Sequence, residues 1–188
     1  MDARLNIFEE AKKPLHIQIP NAELLIKDGL VTSVGKEYSW HESYFEIVKW
    51  LVDNERKSLL IVGSNGTGKT LMSSRILPNI IRYYYNIVPY VTSAIDLSRI
   101  ADDRIDYMKM RASKVMVIED FGTESISSIY GEKRDLFSEF VDIAERESKL
   151  MILTTNISGD ELKKKYGMRT YDRLRPYKHV IINGNSNR

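Results

Sequence analysis

The sequence predicts an α/β fold: a central parallel sheet of five strands with helices on both faces. Three observations point there. Four short apolar runs each stop abruptly at polar residues, helical stretches separate them, and a glycine-rich turn joins the first run to the helix after it. Strands buried on both faces read as unbroken apolar runs. Strands that alternate with helices form βαβ units, whose ligands gather at the carboxyl edge of the sheet.

In chain order, the first forty residues carry scattered turn signals (Pro14, Pro20-Asn21, Asp28-Gly29, Gly35) and little periodicity. They predict an irregular N-terminal arm over 1–39, with short strands near 15–19 and 23–27, ahead of a single globular unit over 40–188. Ser43 stands as the cap of a helix with Ile47, Val48 and Leu51 on its apolar face, ending near Asn54. Ser58-Leu59-Leu60-Ile61-Val62 is the first buried strand, and a helix follows from Lys69. Pro78 must kink or restart that helix, because proline lacks the donor and clashes one turn back. Tyr83-Tyr84-Tyr85 fall late on it, and at least one of them should be core. Ile87–Thr92 is the second strand, and Ser93 should cap a polar helix from Ala94 to about Met110.

Val115-Met116-Val117-Ile118 is the third strand, ending in Glu119-Asp120. Leu136, Phe137, Phe140, Ile143 and Ala144 form the apolar stripe of a helix over about 132–148. Leu150-Met151-Ile152-Leu153 is the fourth strand, ending in Thr154-Thr155-Asn156. A lysine-rich helix over 159–166 and a last strand, His179–Ile182, complete the series.

Three strand ends carry chemistry. Gly63-Ser64-Asn65-Gly66-Thr67-Gly68-Lys69-Thr70 fits the P-loop pattern G-x-x-x-x-G-K-[ST], with a strand before it and a helix after. Its glycines let successive N–H groups curl around phosphate oxygens, and the helix N-terminus adds partial positive charge. Lys69 reaches the β- and γ-phosphates, and Thr70 offers a hydroxyl to Mg²⁺. The pattern therefore predicts binding of a nucleoside triphosphate with Mg²⁺. At the end of the third run, one carboxylate can hold the magnesium and the other can polarise a water. Glu119 is the candidate metal ligand and Asp120 the candidate for the water. Taken alone, the pair also reads as a strand ending in solvated acids. Asn156 can hydrogen-bond the γ-phosphate and the attacking water as a phosphate sensor. Alone, it reads as a turn residue.

Together with Gly167-x-Arg169-x-x-x-Arg173-Leu174, these motifs resemble the AAA+ ATPases of the bacterial replicative-helicase loaders (DnaC-like) and the related IstB-type transposition helpers. The resemblance runs from about Trp40 to Arg188 and includes the ending Gly184-Asn185-Ser186-Asn187-Arg188. It implies a three-layer P-loop (AAA+) fold without a C-terminal lid domain. It also implies self-association through the ATP site, with Arg173 as the arginine finger of a neighbouring subunit and Arg169 in a supporting role. Pairing of Asp172 with Arg173 on the surface is the plainer alternative. Glu119-Asp120 stands where the family places Asp then Glu or Asp. Since a displacement on the order of 1 Å can cost about 10²-fold in rate, hydrolysis to ADP is expected to be slow.

Composition narrows the classes further. The 188 residues include no cysteine, which excludes a disulfide scaffold, a thiolate zinc site and a cysteine nucleophile, and suits a reducing cytoplasm. No apolar stretch is long enough to span a membrane. The net charge of +2 hides an asymmetry, since residues 149–188 hold nine basic side chains and three acids while the remainder sums to −4. That basic end, with Tyr166, Tyr171 and Tyr177, suits a single-stranded DNA backbone. The function expected is an ATPase that loads or remodels a replicative helicase on single-stranded DNA. The alternatives are a transposition helper, a small P-loop kinase and an ATP-bound adaptor that scarcely hydrolyses.

Overall fold

Five parallel strands build the sheet in the computed structural model, which describes residues 12–36, 38–123, 127–129 and 132–183. They are β1 (Leu59–Gly63), β2 (Tyr90–Ser93), β3 (Val115–Phe121), β6 (Leu150–Thr155) and β7 (Lys178–Ile182), in the order β2-β3-β6-β1-β7. A separate antiparallel hairpin, β4 (Ser127–Ile129) with β5 (Glu132–Arg134), occupies the start of the stretch expected to be helix from 132. Interior β1 pairs with central β6 on one side and edge strand β7 on the other.

Alternate residues of each strand face opposite layers. Leu59, Ile61, Val115, Val117, Leu150 and Ile152 pack with α1 (Ala22–Val34), α2 (Tyr44–Val52) and α3 (Leu77–Tyr85). Leu60, Met116, Ile118, Met151 and Leu153 pack with α4 (Ala94–Asp102), α5 (Arg104–Ala112), α6 (Leu136–Glu147) and α7 (Gly159–Leu174). The second layer centres on Phe121, fully buried and stacked on Phe137 at 4.4 Å between ring centroids. Phe121→Ala should therefore lower unfolding stability by about 3–5 kcal/mol, read from urea denaturation.

Several expectations need correction. The stretch 23–27 is not a strand, because it lies in helix α1. Ala22, Ile26 and Leu30 recur every four residues and are all buried, and Glu23 pairs with Lys27 at 2.5 Å. Residues 15–19 form no strand. The Asn54 side chain accepts from Ile17 N–H (2.8 Å) and donates to the Leu15 carbonyl (3.0 Å), so Ile17 and Ile19 are held in the core. Residues 1–11 and 184–188, including Arg188 and the Gly184–Arg188 ending, lie outside the described residues. The polar helix after Ser93 is two helices. Ser93 Oγ caps α4 by accepting from Asp96 N–H, and extended Asp103 breaks the run and caps α5 through Ile105 N–H at 2.8 Å. Helix α6 starts at Leu136, where Asp135 caps it.

Pro78 falls at the first turn of α3, and the segment before it, Leu71–Ile76, is π-helical, with Leu77 N–H bonding Met72 O. The wider turn takes up the ring that would otherwise collide with the preceding turn. Of the three tyrosines only Tyr85 packs on the core, where its hydroxyl accepts from Gln18 N–H, while Tyr83 is 80% exposed. No helix among the described residues is long and apolar enough to cross a membrane.

Candidate functional site

The turn Gly63–Thr70 leaves the carboxyl end of β1 and enters the helical stretch behind it. Gly63 is required by contact: a Cβ there would lie 2.6 Å from the Ile182 carbonyl oxygen of paired β7. Gly68 is required by conformation, since its φ of +84° lies in the left-handed region and a Cβ would lie 2.8 Å from the Tyr44 hydroxyl. The Ser64 carbonyl accepts from both Thr67 Oγ1 (2.9 Å) and Lys69 Nζ (2.8 Å), which shapes the loop from within. Asn65, Gly66, Thr67, Gly68, Lys69 and Thr70 line a cleft of about 340 Å³, and Asp120 faces them across it. Lys69 is 4% exposed. Burial pulls its ammonium pKa down, and the nearby Asp120 carboxylate opposes that shift.

The two acids at the end of β3 part company. Glu119 turns under the π-helical segment, where its Oε1 accepts from Ser73 Oγ at 2.6 Å. Burial pushes its carboxyl above the ordinary value, the Ser73 bond opposes this, and Asp120 adds a smaller upward push. Asp120 lies where the β3–β6 register shifts, with a left-handed φ of +49°. Two buried threonines hold that end of the strand: Thr154 Oγ1 accepts from Asp120 N–H (2.9 Å) and Thr155 Oγ1 donates to the Phe121 carbonyl (2.6 Å). The structure thus brings Asp120, and not Glu119, into the lining of the cleft.

Glu119 bears on stability as well. A carboxyl raised in the folded state stabilises below its unfolded value and loses that contribution as pH rises through the folded value. Glu119→Gln keeps an acceptor for Ser73 and removes the buried charge. It should unfold at a higher temperature than the native chain at pH 8, with the gap closing toward pH 4, by thermal melts across that range.

Asn156 follows β6 directly and reaches the loop through Asn65, Nδ2 to Oδ1 at 3.5 Å. Arg169 and Arg173 stand elsewhere. Both lie on α7 beyond the break at Gly167 (φ +80°), and neither lines the cleft. Arg169 pairs with Asp142 at 2.9 Å; Arg173 pairs with Asp142 at 3.1 Å and also with Glu145. Asp172 pairs with Arg175 at 3.6 Å, so the surface pair expected as the plainer reading is made with a different arginine.

The basic end is largely neutralised in space. Lys149 meets Glu147 (3.4 Å), Lys163 meets Asp160 (3.0 Å) and Lys178 meets Glu46 (2.6 Å). Tyr166 packs on Phe137 at 4.6 Å, Tyr177 bonds Met151 Sδ, and Lys163 sits over Tyr171 at 4.7 Å, so these rings face the fold.

Sequence reasoning missed Ser73, Thr154 and Tyr44 as parts of the site, and marked Thr155 beside Asn156 without giving it a role of its own. The threonine pair carried a signal, being two hydroxyl residues closing an apolar run at the functional edge.

Comparison with known proteins bears on the family and the fold. The family model described as Novel STAND NTPase 3 matches residues 38–183. Among solved structures, the fold is similar to that of the DnaC helicase loader, with 21% identity, 89% of this chain and 93% of that chain covered, and a TM-score of 0.57. It is similar to DnaI, with 19% identity, 92% and 97% coverage and a TM-score of 0.61. It also matches AMPPCP-bound DnaA from Aquifex aeolicus, with 17% identity over 77% of this chain and 48% of that one, and a TM-score of 0.58. The five-stranded parallel P-loop fold expected from the sequence is the fold these structures share.

Proposed function

The chain belongs to the Novel STAND NTPase 3 family, and we propose that it binds and hydrolyses ATP in the Gly63–Thr70 cleft to place a replicative helicase on single-stranded DNA. The observation that carries the ATPase reading is the placement of buried Lys69 and of Asp120 on one cleft, lined by a glycine-rich loop at a helix start. A buried ammonium facing a carboxylate beside backbone N–H groups is suited to a triphosphate with its cation. The Thr70 hydroxyl and Asp120 carboxylate are hard oxygen donors on one cleft, so they fit Mg²⁺. When bound with nucleotide, that ion would neutralise phosphate charge. Asp120 would orient the attacking water, and Asn156 would sense the γ-phosphate through its link to Asn65. Glu119, bonded to Ser73, would set the end of β3 and act on the metal only indirectly.

The helicase-loading part is supported by the likeness of fold to the DnaC helicase loader over 89% of this chain. In this reading subunits meet at the nucleotide, and Arg173 leaves Asp142 and Glu145 to act on a neighbour's phosphate, with Arg169 beside it. A second reading rests on the same contacts: an arginine held by two acids suits an ATP-bound adaptor that turns over little.

Turnover with and without single-stranded DNA separates the two. The motor reading predicts stimulation by DNA and, in Arg173→Ala, a fall of at least about 10³-fold with nucleotide still bound. Flat, near-zero rates in both proteins would leave the adaptor. Co-sedimentation with a replicative helicase in ATP but not ADP supports loading, and failure in both states points to a transposition client.

A further inference from the structure

We propose that a cationic cleft at the amino edge of the sheet, opposite the nucleotide cleft, binds the phosphate backbone of a single nucleic-acid strand. Lys114 immediately precedes β3, Lys149 precedes β6 and Ile87 lies just before β2, so their loops meet at the amino ends of the strands. Lys12 and Lys13 cross the same edge, where Ser148 Oγ donates to the Lys12 carbonyl at 2.6 Å. A cleft of about 630 Å³ opens there, lined by five cations (Lys12, Lys13, Lys114, Arg146, Lys149) and one acid, Glu147.

The pairing of charges distinguishes this cleft from the basic C-terminal segment. Glu147 pairs with Arg111 (3.2 Å), Lys149 (3.4 Å) and Arg146 (3.8 Å), so two of the five cleft cations already have an acidic partner. Lys149 is itself braced by the Ser113 carbonyl at 3.0 Å. Lys12, Lys13 and Lys114 make no ion pair among the described residues, unlike Lys163, Arg169, Arg173, Arg175 and Lys178. Three cations without an acidic partner among the described residues therefore line this one cleft.

Leu15 and Ile87 supply an apolar wall beside them. A concave site of this size, apolar on one side and cationic on the other, suits a nucleotide unit with its base against the wall and its phosphates toward the lysines. The choice of strand as ligand rests on the reading that this ATPase engages single-stranded DNA. The site is separate from the nucleotide cleft by the length of the strands, roughly 20 Å for the seven residues of β3.

The test is fluorescence anisotropy of labelled oligo(dT) against salt for the full chain, Lys12→Glu/Lys13→Glu/Lys114→Glu and the alanine triple variant. Mg·ATP-induced thermal stabilisation is recorded on the same preparations, as a check on folding and an independent reading of the nucleotide site. The expected result is at least a tenfold weaker affinity in the glutamate variant. The slope of log affinity against log salt should shrink by about 2 in the alanine variant, at about 0.7 for each phosphate no longer neutralised. Lys69→Ala should bind the strand as the native chain does, even with nucleotide binding gone. Unchanged affinity and slope in both triple variants overturn the proposal while leaving the ATPase reading intact. So does displacement of oligo(dT) by inorganic tripolyphosphate at equal phosphate concentration, which would make the ligand a free polyphosphate.

Discussion

Lys69→Ala is expected to weaken nucleotide binding at least about 10²-fold and to abolish measurable turnover. Lys69 is buried, and its ammonium bonds the neutral Ser64 carbonyl while sensing Asp120. A triphosphate would exchange that neutral partner for anionic oxygens, adding the attraction of opposite charges in a water-poor setting. Truncating one partner of a buried charged pair costs about 2–5 kcal/mol, and 2.8 kcal/mol is about a hundredfold in affinity. The same burial makes a control available. Lys69→Met removes an ammonium whose desolvation depresses its pKa, so it should lose nucleotide binding without losing stability in urea. Equilibrium binding of a fluorescent ATP analogue and denaturation midpoints measure the two effects separately.

Asp120→Asn is the second large effect. Asparagine tolerates the left-handed φ of +49° found at this position, so the backbone should stay where Thr154 holds it. What changes is the charge facing Lys69 and the loop. Turnover should fall about 10²- to 10³-fold, the usual loss when one preorganised electrostatic group is removed from a reacting centre. Nucleotide affinity should change by less than tenfold. Glu119→Gln, by contrast, should lower turnover by less than tenfold, since Glu119 bonds Ser73 and does not line the cleft. Phosphate release under saturating Mg·ATP ranks the two. A larger loss in Glu119→Gln would return the metal to Glu119 and remove Asp120 from the centre of the site.

The parts of the molecule legible in the sequence were those governed by local pattern. β1, β3 and β6 are apolar on both faces because helices cover both, and such runs announce themselves. The glycine loop is legible because its backbone geometry needs glycine at Gly63 and Gly68. α1 was obscured because Asp28-Gly29 reads as a turn. In the fold Gly29 instead lets the helix approach Ile76, with a Cβ position only 3.0 Å from that side chain. Its Ile26–Leu30 spacing and Glu23–Lys27 pair were the signals to follow. The parting of Glu119 from Asp120 was not legible at all. It follows from a register shift against β6 and from threonines 34 residues away in sequence. The basic end misled for a related reason: its counter-charges, Asp142, Glu145, Glu147 and Glu46, lie outside the segment counted.

The most direct test of the nucleotide cleft is the unfolding temperature of the full chain with and without Mg·ATP. A ligand at a hundred times its dissociation constant stabilises the folded state by about 2.7 kcal/mol. For a domain of this length that is a rise of about 5 °C or more. That rise is expected with Mg·ATP, with none from adenosine and none in Lys69→Ala. Identical melting with and without Mg·ATP at millimolar nucleotide would contradict a nucleotide site in this cleft.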